Sequence, residues 1–599
     1  MPDKQIKPMK RFFYVAAGLL LTCAVSQADT MCLSYSEGKT SDGAPIGIGY
    51  GRFNEIETAF FLPASTVKLL EGNTITGING CLASIADIEA VHIFIREELE
   101  GDNLAYYKFE PDQSNPVKRG VNKLRFEKPY TITSGSGKGL YIGFGFTMTE
   151  LNSRALSANT TPIPNAFFLR KANGRWSDCS EYGCASIEAV IEGDRLPERN
   201  LRLSRTDTPS AFAADRGDMP VTYFVHNFGS RTISGFDMVA EVDGEAVDKV
   251  HVSGDIASNA MKTGVVRFHP GLTVAGDKEI VYRLENLEEG EDQDPSDNVL
   301  SDSFEVVSKS YPRKVLSEEF TTEKCKNCPR VVEMLHELLA RPEYSDIIQV
   351  AHHAGFQQDF LTQPFHEEYT MMYGGSKFAP GLCVDRAKQG PLEVIVFPDT
   401  EKTVEDMWNQ RLDIPALVSV DISARYSEPA RDRLEVTVSG EKVSRHLPAG
   451  TCATVWLVED GIEPVEQVNA PAGFIHNNVT RACGSSDYWG DPVTFDGDSY
   501  TYSCEIPLDG KWKKENMRIV AFLGDNDGRW FGHTVLNAAS MKFSEIENSG
   551  IDSIAGSGVP VEIRYYDLSG REVDSTAKGI LLVKSVYDDG SARTVKMVR

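Results

Sequence analysis

The stretch VLSEEFTTEKCKNCPRVVEMLHELLAR, from Val315 to Arg341, constrains this chain more than any other. An apolar run from Lys314 to Phe320 reads as a strand, a polar turn follows, and Cys325 and Cys328 come next at C-x-x-C spacing. Behind them, Pro329 and the stripe Val331, Val332, Met334, Leu335, Leu338 and Leu339 repeat at the 3.6-residue period of an amphipathic helix. A cysteine in the first turn of a helix meets free N–H groups and the positive end of the macrodipole, which favour a thiolate. The second cysteine, one turn later, can attack the first sulfur once that sulfur is joined to a substrate thiol. Cys325 is therefore the candidate nucleophile and Cys328 the candidate resolving thiol, with Lys324 and Lys326 adding positive charge nearby.

Around this dithiol the chain alternates strand and helix. Pro342 ends the first helix, Asp346 to Ala351 reads as a buried strand and Pro364 to Tyr373 as a short helix. Phe378 to Arg386 follows, and Thr403 to Leu412 closes the segment as a helix. Elsewhere the pattern is β. Short apolar bursts such as Val67–Leu70, Val91–Ile95, Leu124–Phe126, Leu140–Phe144 and Ala166–Leu169 are punctuated by Gly, Asn, Ser and Pro. The expected organisation is a leader over 1–28, a β-sandwich over 29–200, an immunoglobulin-like β module over 201–309, an α/β domain over 310–413, a second β-sandwich over 414–545, and a linker with a β-rich tail over 546–599. The leader rests on Lys4, Lys7, Lys10 and Arg11, the apolar run Phe12 to Leu21, and a cleavage site near Ser26-Gln27-Ala28. A lipidated Cys23 is the alternative, to which Thr22 is a poor fit. The run is too short for a membrane span and no later stretch is long enough. A net charge of -26 argues against nucleic acid as a partner.

The chain has eleven cysteines, and removal of Cys23 with the leader leaves an even number in an oxidising compartment. Cys179 and Cys184 read as a local staple and Cys32 with Cys81 as the remaining pair of the first module, although other connectivities exist. Cys452, Cys483 and Cys504 are odd in number, so Cys383 is the candidate for a bridge between the α/β domain and the module after it. Three readings of Cys325 and Cys328 stay open: a redox pair, a fixed disulfide, or zinc ligands together with Cys383 and His352 or His353. The acidic run Glu288 to Asn298 offers carboxylates at alternate positions, but without an ordered ligand register it reads as a solvated hairpin tip. Asp525 to Gly528 reads as a plain turn. Neither metal nor cofactor is expected.

A C-x-x-C in a βαβ pattern with a proline before a later strand resembles the thioredoxin superfamily. That likeness implies a cis Pro380 facing the dithiol, with Ala379 beside it shaping a groove for an extended peptide. EEFTTEKCKNCP, the strand ending in His352-His353, and FAPGLCVDR together resemble the Omp28-related family of Bacteroidetes secreted or outer-membrane proteins. The likeness continues through Val455–Asp460, His476–Arg481 and Met517–Phe522. Lys324 stands where many thioredoxins carry Trp, and Lys326-Asn327 replaces Gly-Pro. Tyr566–Arg571, Lys578–Lys584 and the basic end Lys596–Arg599 resemble a type IX secretion sorting domain, which implies that machinery as a partner. The fold class expected is thus multidomain and mainly β with one α/β thioredoxin-like domain. The function implied is thiol-disulfide exchange at the cell surface, on protein thiol or disulfide substrates. The alternative is a non-catalytic adhesin or binding protein for host surface ligands, with a structural Cys325–Cys328 bridge.

Overall fold

In the computed structural model the described residues are 29–36, 46–47, 55–149, 155–172, 174–389, 393–427, 430–529, 532–546, 562–567, 570–586 and 592–598. The expected leader with Cys23, the linker glycines at 550, 556 and 558, and Leu568-Ser569 of the tail lie outside them.

The protein is multidomain and mainly β. The first unit is built from two larger sheets. One is ordered Asp29–Leu33, Ile187–Gly193, Thr74–Leu82, Gly120–Thr131, and the other runs from Ser177–Asp178 to Ala105–Phe109 around the central Glu55–Leu62 and Leu140–Met148 strands. Alternate residues of these strands, such as Ile56, Phe60, Ile142, Phe144 and Ile191, meet in one core. Val67–Leu70, expected as a strand, belongs instead to the helix Ala64–Leu69 and its cap. Pro63 opens this helix, and Val67 and Leu70, three residues apart, bury the same face. The second unit packs a three-stranded sheet (Leu201–Asp207, Met219–Asn227, Met261–Phe268) on a five-stranded one, with Phe236, Met238, Tyr282 and Val306 in its core.

The dithiol segment departs from the expected boundary. Val315–Thr321 pairs parallel with Ile347–His353 and antiparallel with Gly381–Val384, and the helices Cys328–Leu339 and Glu401–Leu412 cover one face of this sheet. The sheet does not stop near residue 413. Ile347–His353 adjoins Val479–Cys483 through Ala351 and Val479, and the sheet runs on through Cys452–Glu459, Met517–Gly524 and Val535–Lys542. Ala351 N–H donates to Asn478 O at 2.7 Å and Thr480 Oγ1 to Ala351 O at 3.0 Å. One core therefore holds Leu316, Phe320 and Val350 from the α/β segment with Trp456, Val520 and Phe522 from the segment after it. The four-stranded sheet Asp421–Tyr426, Arg433–Glu441, Ser499–Pro507, Phe495–Asp496 packs on the opposite face of the extension. The tail folds as a four-stranded antiparallel sheet, with Ile580–Val586 between Glu562–Tyr566 and Ala592–Val598.

Among the described residues Cys325 and Cys328 form the one disulfide, and Cys32, Cys81, Cys179, Cys184, Cys383, Cys452, Cys483 and Cys504, expected in bridges, are not disulfide-bonded. The register explains why Cys32 and Cys81 do not pair. Cys32 lies opposite Val190, which lies opposite Gly77, so a whole strand separates the two cysteines and Cys81 is four residues further along. Two strand spacings of about 4.8 Å already exceed the Cα separation that a disulfide spans. Cys184 donates its Sγ–H to Thr161 O at 3.1 Å. Cys452 turns to Trp489 O at 3.1 Å, and Cys383 is sealed in the core.

Because the sheet crosses residue 413, a fragment of residues 310–413 should lack a cooperative urea transition, whereas 310–546 should unfold in one step. A cooperative transition in the shorter fragment would contradict the shared sheet.

Candidate functional site

Every residue of Val315–Thr321 is buried, including its two glutamates. Alternation sends Glu318 to the face shared with Trp456, and Glu319 to the face covered by the dithiol helix. Glu318 receives Arg386 on both oxygens, with Nε to Oε2 at 3.0 Å and Nη2 to Oε1 at 3.0 Å, and His352 Nε2 lies 3.1 Å from Oε1. Burial pushes the Glu318 carboxyl up, but the guanidinium and the imidazole outweigh it and hold it at about 2. Glu319 has no such compensation. Its Oε1 has no hydrogen-bond partner, and burial pushes its carboxyl up to about 8.

The turn after this strand places the dithiol. Cys325 N–H donates to Thr322 O at 3.1 Å and Lys324 N–H to Thr322 Oγ1 at 3.0 Å. Cys328 opens its helix with Pro329 behind it, and its N–H donates to Cys325 Sγ at 3.1 Å. The two sulfurs form a disulfide with Cα atoms 5.5 Å apart. The Ala379–Pro380 bond is cis, and since Gly381 lies opposite Phe320, Pro380 sits at the end of the sheet from which the dithiol turn emerges. Pro380 is buried and Ala379 half-buried.

A partly exposed Cys325 was the expectation for a reactive pair. Instead Cys325 is 4% and Cys328 1% exposed. Against the dithiol turn lies a strap from the neighbouring segment, residues 463–469, which connects the Cys452–Glu459 and Val479–Cys483 strands. Val468 N–H donates to Glu323 O at 2.8 Å, and Val465 N–H donates to Glu323 Oε1 at 2.5 Å. Gln467 Nε2 donates to Cys325 O at 3.2 Å and Asn469 Nδ2 to Lys326 O at 3.1 Å. Lys324 forms an ion pair with Glu466 of the strap, so its charge is shared with that carboxylate and not left to the sulfurs.

Below the strap lies a second buried set. Asp359 Oδ2 accepts from Glu323 N–H at 2.8 Å and from His353 Nδ1 at 2.7 Å. Burial pushes Asp359 up, but these bonds and the imidazole charge prevail and hold it at about 2. His476 stacks edge-on against His353 with ring centres 4.9 Å apart, and burial holds it down at about 3, so it is neutral. The zinc set is not assembled: Cys325 and Cys328 bond each other, His352 serves Glu318, and His353 serves Asp359. Glu319, Glu323 and the strap escaped the sequence reading. The one local signal was a pair of glutamates inside a run that otherwise reads as a buried strand.

Residues 384–546 match the family model described as Outer membrane protein Omp28. The match begins within Gly381–Val384 and spans the extended sheet, the strap and the four-stranded sheet, which together are less than half of the chain. Among solved structures, HBP35 of Porphyromonas gingivalis is 18% identical, with 48% of this chain and 99% of that chain covered and a TM-score of 0.36. A domain of the outer membrane lipoprotein Omp28 from Porphyromonas gingivalis is 23% identical over 21% of this chain and 88% of its own, with a TM-score of 0.14. No curated protein matches the chain. In keeping with the Omp28 match, the chain is a protein of the cell surface or outer membrane.

The raised carboxyl gives a pH signature. Glu319 is protonated in the fold up to about pH 8 but ionises near its ordinary 4.5 in the unfolded chain. Its contribution to stability is therefore complete below 4.5 and is lost as the pH rises through about 8. Glu319→Gln should remove a fall of a few kcal/mol between about pH 5 and pH 8, read from urea midpoints. Equal slopes in both proteins would contradict the assignment.

Proposed function

We propose that this is a non-catalytic surface binding protein, in which a thioredoxin-like unit serves as scaffold and the Cys325–Cys328 disulfide is a covered staple. The observation that carries the reading is the strap, which hydrogen-bonds to the dithiol turn and leaves almost no sulfur surface for an incoming thiolate. Exchange requires in-line access of that thiolate to one sulfur. The thioredoxin-like character itself is supported by the strand, dithiol and helix order, by the parallel Val315–Thr321 and Ile347–His353 pair, and by the cis proline at the same end of the sheet. A fold of this kind does not by itself make an enzyme. Exposed Phe356, Phe360, Val465, Val468 and Ile475 lie on the strap and on the loops beside it, which supports protein recognition at this end. Host surface ligands are the class of partner in this reading. The antiparallel tail sheet supports its use as a type IX sorting signal, with that secretion machinery as its partner.

A second reading is favoured by Glu319. A buried carboxyl held near 8, on the sheet face that the dithiol helix covers, is suited to accept the Cys328 proton during exchange. In that reading the strap must first lift and an external dithiol must reduce the Cys325–Cys328 bond; the Cys325 thiolate then attacks a substrate disulfide and releases one substrate thiol, and the Cys328 thiolate displaces the other as the Cys325–Cys328 disulfide forms again.

The reduction potential separates the two. Alkylation and mass spectrometry of the full chain across a glutathione series should place the Cys325–Cys328 couple below about -300 mV, as for a structural disulfide. A value of about -270 mV or higher, in the range of exchange proteins, would transfer the assignment to the exchange reading.

A further inference from the structure

Of the acidic run expected to be a solvated tip, Glu288 to Glu291 are exposed as expected, whereas Asp292 to Asn298 fold back against the start of the second unit. Gln293 N–H donates to Arg199 O at 3.0 Å, and Gln293 Oε1 accepts from Glu198 N–H at 2.6 Å and Arg199 N–H at 3.0 Å. Asp292 spends both oxygens on backbone, accepting from Leu201 N–H and from Asp294 N–H, each at 2.8 Å. Ser296 donates to Asp294 Oδ1. These bonds pin the loop across the beginning of Leu201–Asp207.

What they leave over is a set of buried oxygens without partners. The Asp297 side chain is 7% exposed, and neither of its oxygens is hydrogen-bonded. Asp294 Oδ2 is also unpartnered. So is Oδ1 of Asn298, which is 1% exposed, and so are both polar atoms of Asn200, which is 0% exposed. Asn200 and Arg202 occupy alternate positions of the same chain segment and thus share a face. The Arg202 guanidinium reaches Asp297 Oδ2 only to 3.8 Å, beyond hydrogen-bond distance, and lies over the rings of Tyr35 and Phe228. Buried carboxylates normally acquire hydrogen bonds or a counter-charge, and here one distant guanidinium faces three aspartates.

We propose that Asp294, Asp297, Asn298 and Asn200 form a calcium site, with carboxylate and amide oxygens as ligands and water completing the shell. The donor set contains only oxygen, which selects a hard divalent cation, and Ca²⁺ takes six to eight such ligands in flexible geometry. The ion supplies the charge that the cluster lacks. Another acidic group, Asp277, Glu305 and His446, does not have this character. Arg445 already neutralises it, with Nη2 3.0 Å from Asp277 and Nε 3.1 Å from Glu305. The calcium site stands beside Tyr35 of the first unit, so an ion there would tie the loop at the junction of the two units.

Calorimetric titration of Ca²⁺ into the chelator-treated full chain should show a site with a Kd of about 10⁻³ M or tighter, accompanied by a rise in unfolding temperature. Asp297→Asn and Asp294→Asn should each weaken that binding at least about tenfold. Asp297→Asn should keep its circular dichroism spectrum, because it removes a buried carboxylate that has no hydrogen-bond partner. Diffuse association with an acidic surface would survive either substitution. Absence of both heat and thermal shift at about 10 mM Ca²⁺, or binding unchanged in both variants, would overturn the site.

Discussion

The fully buried pair of Glu318 and Arg386 is the interaction on which the centre of this protein depends. Glu318 comes from the strand Val315–Thr321 and Arg386 from the turn that follows Gly381–Val384, but the surroundings of the pair come largely from elsewhere. The guanidinium carbon lies 4.5 Å from the centre of the Tyr369 ring, 5.4 Å from Trp456 and Trp489, and 5.1 Å from Phe522. A guanidinium tolerates such a site because its planar, weakly hydrated faces stack on aromatic rings while its edge serves a carboxylate. Asp385 and Arg386 both take left-handed backbone conformations, with φ of 48° and 51°, which non-glycine residues seldom adopt. Asp385 is held there by Leu316 N–H at 2.8 Å, by Arg411 at 3.0 Å and by Arg313. A buried ion pair with one partner removed is strongly destabilising, so the sheet and its extension stand or fall together.

That union decides the state of the dithiol. Once Val479–Cys483 adjoins Ile347–His353, the connection preceding it passes over the end of the sheet where Cys325 and Cys328 emerge. Glu323 is the anchor: its backbone carbonyl and its carboxylate both accept N–H groups of the strap, and its own N–H is held by Asp359. The same architecture that aims a helix N-terminus at a sulfur therefore also closes the route to it. The proposed reading of the disulfide as a covered staple rests on this geometry.

The strand, dithiol and helix around Cys325 were legible because they are local: a 3.6-residue stripe, a proline at the helix start and an apolar run before the turn. So were the strands around Val91, Leu124 and Leu140. The shared sheet was not, because Ala351 and Val479 are separated by more than a hundred residues and nothing in either run specifies its neighbour. Disulfides inferred from cysteine count failed for the same reason, since Cys32 and Cys81 differ in strand position and not in spacing. The Asp292–Asn298 loop looked solvated because composition reports charge, whereas burial depends on Gln293 finding the backbone of Glu198 and Arg199. Glu319 reads as an ordinary polar interruption until the opposite faces of its strand are known.

The claim that the strap closes the dithiol is tested most directly by hydrogen exchange at single-residue resolution on the intact oxidised chain. The amides of Val465, Val468, Cys325 and Cys328 should exchange far more slowly than those of an open loop, because Val465 and Val468 donate to Glu323, Cys325 to Thr322 and Cys328 to Cys325 Sγ, and a closed strap keeps these bonds intact. Exchange of Val465 and Val468 within seconds, as for an ordinary surface loop, would show the strap lifting freely and would contradict a sealed disulfide.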